Sequence, residues 1–243
     1  MLVLRGRAAD VEADREVTRR LVEHSATAGV PALRVWYPHR QVAFGRRDAR
    51  SGGYEAARRR AEERGFEPVE RAAGGRATAY TSGTLLFARA EPVTDPRGGL
   101  DERYERTLGA LQGGLSELGV DARRGEPPDS FCPGTHSLQA AGKLVGLAQR
   151  VRQDVAVVAG VLTVRDHATI ADVLDPVYDA LGVPFDPDSV GSLARAGGET
   201  DRETVQRTVE ASLVGEEAPA GDGTPRVRTV EEWEGVPPGG SNR

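Results

Sequence analysis

The alternation of helical and strand-like stretches constrains the fold of this chain more than any other feature of its sequence. Helices are expected in five stretches, at 10–28, 53–65, 99–119, 167–181 and 201–214. Runs typical of strands lie between them, at 32–37, 41–45, 67–71, 76–80, 84–90, 143–151 and 155–164. The first two runs are expected to form a hairpin-like pair. This order predicts the α+β class, with a mixed β-sheet and helices packed on it.

The composition changes at about residue 216. The 243-residue chain is long enough to bury a sizeable core, but beyond this point Gly, Pro and charged residues replace apolar ones. Such a segment buries too little apolar surface to fold, so residues 216–243 are predicted to be a flexible tail. One domain is therefore expected over residues 1–215.

Charge and hydropathy argue against two classes of partner. The net charge is −5, and the Arg clusters at 46–47 and 58–60 are too short to form the basic stripe of a nucleic-acid-binding protein. No run approaches the roughly 18 apolar residues of a membrane span, and the first residues do not have the pattern of a signal peptide. We therefore expect a cytoplasmic protein without nucleic-acid or membrane partners. The oligomeric state stays open, with a monomer as the starting expectation.

Two residue types occur once each. Cys132 is the only cysteine, which excludes an intramolecular disulfide and a Cys-rich metal site. Lys143 is the only lysine beside 31 arginines. A position that keeps Lys against such a bias favours a need for a compact ammonium group, whose pKa shifts on burial, over a planar guanidinium. Chance retention is the alternative interpretation.

A glycine pair lies between two predicted strands, in the segment Arg-Ala-Ala-Gly-Gly-Arg-Ala-Thr-Ala-Tyr-Thr at 71–81. Gly74 and Gly75 allow the backbone to approach a ligand and point N–H groups at it. Arg71 and Arg76 can donate charged hydrogen bonds to a phosphate or a carboxyl group. The alternative is an ordinary glycine turn with solvated arginines.

Cys132 lies in a loop rich in Pro and Gly rather than in an apolar periodic run. Structural free cysteines are usually buried in the core, so this setting favours a reactive thiol. A thiol of ordinary pKa, about 8.5, needs a nearby cation to ionise at neutral pH. Lys143 on the following strand can supply it, and His136 is a second candidate. No Cys–His–Asp triad is evident, and an inert, half-buried thiol is the alternative.

Together these segments resemble the family of lipoate-protein ligases, biotin ligases and octanoyl transferases. Leu-Arg-Val-Trp at 33–36 with Val-Ala-Phe-Gly-Arg at 42–46 is similar to the family's early strand pair. Residues 71–81 resemble its acyl-binding loop, and Gly-Lys-Leu-Val-Gly-Leu-Ala-Gln-Arg at 142–150 resembles the segment that carries its invariant lysine. The resemblance covers roughly residues 10–215 and implies a biotin/lipoyl-ligase type of catalytic domain.

Within that family, Ser-Phe-Cys-Pro-Gly followed by Gly-Lys is most similar to the cysteine-dependent amidotransferases. These move an octanoyl or lipoyl group from the glycine-cleavage H protein to the E2 lipoyl domains. The resemblance implies that Cys132 forms an acyl thioester and that Lys143 lowers its pKa and holds the acyl carbonyl. It also implies a substrate site lined by Arg71, Gly74, Gly75, Arg76, Ala77, Thr78, Thr81, Gly134 and Gly146. No metal or cofactor is implied, because exchanging one amide for another is close to neutral in free energy.

Two departures and three rival interpretations accompany this resemblance. Thr81 stands where the family loop often has His, and the family's Lys-Lys pair is reduced to Lys143. An ATP-dependent lipoate or octanoate ligase would use ATP and Mg to form an acyl-AMP, with Cys132 incidental. A biotin ligase is disfavoured, because residues 71–81 lack a Gly-Arg-Gly-Arg loop. A non-catalytic homologue that binds acylated carriers is the third. Acidic carrier domains would suit the Arg-rich helix at 55–64.

Overall fold

The computed structural model describes residues 1–71, 74–215 and 225–234. The α-helices of these residues are α1 (Val11–Ala28), α2 (Tyr54–Glu62), α3 (Leu100–Glu117), α4 (His167–Leu181), α5 (Arg202–Val214) and α6 (Val230–Glu234). The strands are β1 (Leu2–Arg5), β2 (Ala32–Trp36), β3 (Gln41–Phe44), β4 (Glu67–Glu70), β5 (Thr78–Tyr80), β6 (Thr84–Pro92), β7 (Arg123–Arg124), β8 (Ser137–Gln139), β9 (Lys143–Val151), β10 (Val155–Thr163) and β11 (Arg226–Thr229). All five predicted helices are present within one or two residues at most ends.

The strands form two sheets. The main sheet has the order β11-β1-β2-β6-β10-β9-β8-β7. In it β1 runs parallel to both neighbours, and the other pairs are antiparallel. The smaller sheet has the order β4-β3-β5, with β3 parallel to β4 and antiparallel to β5. A mixed sheet with packed helices confirms the predicted α+β class.

The expected hairpin-like pair at 32–37 and 41–45 is wrong. β2 pairs with β1 and β6 in the main sheet, whereas β3 pairs with β4 and β5 in the smaller one. Both strands are buried along their whole length, so each is a central strand with partners on both edges. The chain passes from one sheet to the other at residues 37–40, where Pro38 has no N–H to donate to a hairpin.

Residues 225–234 differ from the expected flexible tail. β11 pairs in parallel with β1, with Arg226 opposite Leu2. α6 then places Val230 and Trp233 in a buried cluster with Leu2 and Leu4. The strand sequence Arg-Val-Arg-Thr is polar because β11 is an exposed edge strand held by backbone hydrogen bonds, which composition does not reveal. The rest of the segment 216–243 lies outside the described residues.

Helices cover both faces of the main sheet. α3 and α5 cover one face, where Leu111 and Val209 pack in the same cluster as Leu33. α1 covers the other face, where Leu21 packs with Leu4. Successive residues of β1 and β2 alternate between the two clusters, as side chains on a strand must. In the described part of the chain, no helix combines the length and apolar character needed to cross a membrane.

The smaller sheet has a second core, which includes residues of α2 and α4. Phe44 of β3 packs in this cluster with Ala57 and Val173, and Phe131 is buried there as well. The residue before Cys132 is therefore anchored to the smaller sheet, while Lys143 begins β9 of the main sheet. The two segments that the sequence singled out thus meet where the two sheets adjoin.

Candidate active site

Cys132 has an unusual backbone conformation. Its φ of 43° lies in the left-handed region, which non-glycine residues rarely adopt. Its N–H donates to the hydroxyl of Tyr178, at 2.6 Å, and that hydroxyl donates to the carbonyl of Ala77, at 2.9 Å. Tyr178 on α4 therefore ties the cysteine loop to the strand-like segment that follows the glycine pair. The thiol is half-buried.

Arg71 is the cation in contact with the sulfur. Its Nη2 lies 3.2 Å from Sγ of Cys132 and 2.7 Å from the carbonyl oxygen of Arg76. The second contact fixes the guanidinium between the two ends of the glycine loop. The backbone N–H of Arg76 also donates to the sulfur. A thiol in this setting has a charged donor and a backbone donor aimed at it.

These contacts lower the pKa of the Cys132 thiol. Burial alone would raise the pKa, because it disfavours the charged thiolate. The charge of Arg71, its hydrogen bond, the Arg76 N–H and the charge of Lys143 together outweigh burial, so the pKa lies below its ordinary value. The thiolate is the nucleophilic form of cysteine. These contacts therefore favour the thiolate form of Cys132.

Lys143 lies on the other side of the cysteine, with its ammonium group among backbone oxygens. Nζ is 3.0 Å from the carbonyl oxygen of Phe131 and 2.9 Å from that of Cys132. It is also 2.6 Å from a carboxylate oxygen of Glu126 and 5.1 Å from the ring centre of Phe131. In this geometry Lys143 holds the backbone on both sides of the peptide bond that joins Phe131 to Cys132.

Glu126 closes the loop that carries Cys132. One carboxylate oxygen accepts from the N–H of Gly134 at 2.8 Å, and the other accepts from the hydroxyl of Ser137 at 2.8 Å and pairs with Lys143. The two ends of the loop are thus fastened to one carboxylate. Gly134, which was predicted to line the substrate site, donates one of these hydrogen bonds.

The glycine pair fits closely around the sulfur on one side only. A Cβ on Gly75 would lie 2.7 Å from Sγ of Cys132 and 2.8 Å from Nη2 of Arg71, and its φ of 92° favours glycine. A Cβ on Gly45 would lie 2.0 Å from the carbonyl oxygen of Gly75. Among the described residues, and apart from its chain neighbours, no heavy atom lies within 4 Å of the corresponding position on Gly74. Position 75 therefore has no room for a side chain, whereas a side chain on residue 74 would point into open space.

Other predicted site residues have structural partners nearby. Arg76 pairs with the fully buried carboxylate of Asp48, at 3.1 Å. Ala77 and Thr78 are buried in the strand region behind the glycine pair. Gly146 lies over Lys143, because a Cβ on it would be 3.5 Å from Cε of the lysine. These positions support the walls of the site.

Thr81 lies in the turn between β5 and β6. Its hydroxyl donates to Asp166 at 2.9 Å and accepts from the N–H of Gly83 at 3.0 Å. Its hydrogen bonds are to these residues and to Thr84, not to Cys132 or Lys143. His136, the second cation considered for Cys132, stacks on the ring of Tyr104 with ring centres 3.6 Å apart.

Sequence reasoning missed Tyr178, Glu126 and the direct contact of Arg71 with the sulfur. Tyr178 occupies an apolar face of α4 and reads as a core residue. Glu126 is one acidic residue in a polar loop. No local pattern marks either one, since both act on residues distant in sequence. Within the described residues, no group of three or more His, Cys, Asp or Glu side chains could hold a metal ion.

Comparison with curated proteins finds relatives that are named transferases. The chain is 36% identical over 136 residues to octanoyl-[GcvH]:protein N-octanoyltransferase of Exiguobacterium sibiricum, a match covering 54% of this chain and 48% of the relative. It is 24% identical over 152 residues to lipoyl-[GcvH]:protein N-lipoyltransferase of Listeria monocytogenes, covering 62% and 55%. The chain thus spans about half the length of the curated relatives that it matches.

Comparison of folds and of family models agrees with these relatives. Lipoate-protein ligase A bound with ATP has the same fold, with a TM-score of 0.72 at 17% identity over 96% of this chain and 91% of the other. The model of the lipoyl protein ligase A/B catalytic domain matches residues 10–214. The chain therefore belongs to the lipoyl protein ligase A/B catalytic domain family.

Proposed function

We propose that this protein transfers an octanoyl or lipoyl group to a lysine of lipoyl-carrier domains through a thioester on Cys132. The contact of Arg71 with the sulfur carries the proposal, because it favours a thiolate where an ATP-dependent ligase needs no nucleophilic side chain. The curated relatives, named for transfer of an octanoyl or lipoyl group from GcvH to protein, support the same activity.

The reaction is two acyl transfers in sequence. The thiolate attacks the carbonyl carbon of the amide that joins the acyl group to a donor lysine, forming the C–S bond. The tetrahedral oxyanion collapses, the C–N bond breaks, and the donor lysine leaves as an amine after taking up a proton. The amine of a second carrier then attacks the thioester, loses a proton, and releases the thiolate. The bonds made and broken balance without ATP.

The walls of the site have separate roles in this proposal. Backbone N–H groups of Gly74 and Gly75 stabilise the oxyanion, and the open space beside Gly74 admits the acyl chain. Arg76 is kept in place by Asp48, and Thr78 and Ala77 form the buried backing. Gly134 and Gly146 leave room around the loop and the lysine. Thr81 has an indirect role, because its hydrogen bonds with Asp166 and Gly83 hold the β5–β6 turn. No cofactor or metal takes part.

The lipoyl carriers are proposed as the protein partners. They must present a lysine to Cys132, and an acidic carrier surface would suit the exposed Arg46 and Arg47, which follow Gly45 beside the glycine pair. The helix arginines at 58–60 remain a second prediction for this contact, although Arg60 pairs with Glu63. Reversing the charge at 46–47 should raise KM for the carrier, while reversing the exposed Arg152 on the β9–β10 turn should not. An equal effect of both changes would contradict a local docking surface.

The decisive experiment follows acyl groups by intact mass. The full chain is mixed with octanoylated H protein and an apo lipoyl domain without ATP. We expect one octanoyl group on the protein, lost in Cys132→Ala and kept in Thr135→Ala, an exposed position in the same loop, with acyl reaching the lipoyl domain. No adduct without ATP, but transfer from free octanoate or lipoate with ATP, would instead establish the ligase. Binding of the acylated H protein without acyl transfer, whether ATP is absent or present, would establish a non-catalytic homologue.

A further inference from the structure

Three oxygen atoms surround the Lys143 ammonium group in the resting site. These are the carbonyl oxygens of Phe131 and Cys132 and one carboxylate oxygen of Glu126, at 3.0, 2.9 and 2.6 Å. A lysine ammonium has three donors and no acceptor. The residue is only 1% exposed, so water does not compete for these protons. Lys143 thus donates hydrogen bonds to two backbone carbonyls and forms an ion pair with Glu126, and none of these contacts is to the sulfur.

The charge of Lys143 is also balanced nearby. The carboxylate of Glu126 lies 2.6 Å from Nζ, so at the sulfur the two groups act together as a dipole rather than as an isolated positive charge. Arg71 differs, because no carboxylate of the described residues forms an ion pair with it. Its Nη2 is 3.2 Å from Sγ. The uncompensated charge closest to the sulfur is therefore the guanidinium.

We propose that Arg71 is the catalytic cation that holds the Cys132 thiolate, and that Lys143 is a positioning residue that fixes the cysteine backbone. This division rests on the proposed Cys132 chemistry and assigns its cation. Arg71 stabilises the thiolate before attack and again when the thiolate leaves the thioester in the second transfer. Lys143 and Tyr178 together keep Cys132 in its left-handed conformation, which directs the sulfur to the guanidinium.

The glycine loop gives Arg71 a fixed geometry for this role. The nitrogen that contacts the sulfur also donates to the Arg76 carbonyl at 2.7 Å, across the loop that contains Gly75. Gly75 leaves no space for a side chain between the guanidinium and the sulfur. A planar guanidinium can serve the carbonyl and the sulfur at once, which a point-like ammonium at the same position does less well.

The test measures ionisation of the thiol rather than acyl transfer. The rate of alkylation by iodoacetamide follows the thiolate, so its pH midpoint reports the thiol in the full-length protein. In Arg71→Met we expect the midpoint to rise by about one to three pH units, since an adjacent opposite charge is lost. Arg71→Lys should recover part of the shift. In Lys143→Met the hydrogen bond to Tyr178 still holds the Cys132 backbone and Arg71 is still present, so we expect a shift below about half a pH unit together with a large loss of kcat.

A midpoint that moves as much in Lys143→Met as in Arg71→Met, or that stays at the wild-type value in Arg71→Met, would overturn the proposal. Circular dichroism checks folding, and Arg71→Gln and Lys143→Gln replace any Met variant that does not fold. The alkylation needs no acyl donor. A wrong assignment of the cation is therefore distinguishable from a failure of the proposed function, which would appear as a wild-type protein that forms no acyl adduct.

Discussion

At the scale of single residues, the unfavourable backbone conformation in the site is that of Cys132, whose φ is 43°. A left-handed conformation at a non-glycine residue costs about 1 kcal/mol or more. The hydrogen bonds from its N–H to Tyr178 and from Lys143 to its carbonyl offset that cost. Both contacts act on the backbone, so they set the direction of the side chain. The sulfur therefore lies against Arg71 in the structure. In the proposed reaction this placement reduces reorganisation during attack.

Gly75 and Gly74 provide a matched pair of variants at this scale. Gly75→Ala adds a methyl group that would lie 2.7 Å from the sulfur and 2.8 Å from Arg71, at a φ of 92°. We expect it to separate the two groups, slow alkylation of Cys132 at neutral pH about ten-fold, and cost about 1–2 kcal/mol of stability. Gly74→Ala has open space and should keep the alkylation rate near that of the wild type. Equal rates in the two variants would mean that the close approach is not needed.

The lowered pKa of Cys132 makes a prediction about stability. Between the folded-state pKa and the unfolded value of about 8.5, the unfolded protein binds more protons, so stability rises with pH. This contribution is complete above the unfolded pKa and is lost as pH falls through the folded one. The free energy of unfolding of the wild type minus that of Cys132→Ser, measured in urea, should therefore increase with pH in this window. A difference that does not change with pH would contradict a stabilised thiolate.

At the scale of elements, the loop from β7 to β8 is held at both ends by one carboxylate. Glu126 accepts from Gly134 and Ser137 and pairs with the buried Lys143. α4 fixes the same loop from the other side through Tyr178, which also holds Ala77 near β5. The position of Cys132 therefore depends on elements of both sheets. Loss of either contact should loosen the loop without unfolding the main core.

Glu126→Ala tests this fastening against an exposed ion pair. It leaves the Lys143 charge buried without its carboxylate, for which we expect a cost of about 3 kcal/mol. Glu105→Ala breaks the pair with Arg124, whose side chains are 55% and 46% exposed, and should cost less than about 1 kcal/mol. Chemical denaturation of both variants provides the comparison. Similar costs would show that the Lys143–Glu126 pair contributes no more than a surface ion pair.

At the scale of the whole molecule, the sequence pattern predicted the helices and strands that have a clear length and period. The long apolar runs of β9 and β10 and the leucine stripe of α3 identify themselves by length and period. β1 is only four residues long and β11 is polar, so neither has a clear period, and their pairing joins opposite ends of the chain. The site follows the same division. Cys132, Lys143 and Arg71 stand out in the sequence, but the contact between Cys132 and Arg71 spans 61 residues and depends on how the two sheets meet.

The C-terminal elements provide a test of the assembled fold. A chain that ends at residue 215 lacks β11 and α6, which exposes the edge of β1 and removes Val230 and Trp233 from their cluster with Leu4. Loss of a buried Trp side chain alone costs about 3 kcal/mol, or roughly 6–12 °C in Tm for a domain of this size. A chain that ends at residue 234 keeps both elements and should melt near the full-length protein.

The same truncation should leave the chemistry of the site intact below its melting temperature. Four strands separate β11 from β9, a distance of roughly 24 Å at about 4.8 Å per strand. The pH midpoint for alkylation of Cys132 should therefore be unchanged in the chain that ends at residue 215. An unchanged Tm would mean that β11 and α6 do not pack on the sheet. A shifted midpoint would mean that the far edge of the sheet helps to set the geometry of Arg71 and Cys132, because a merely local contact cannot respond over that distance.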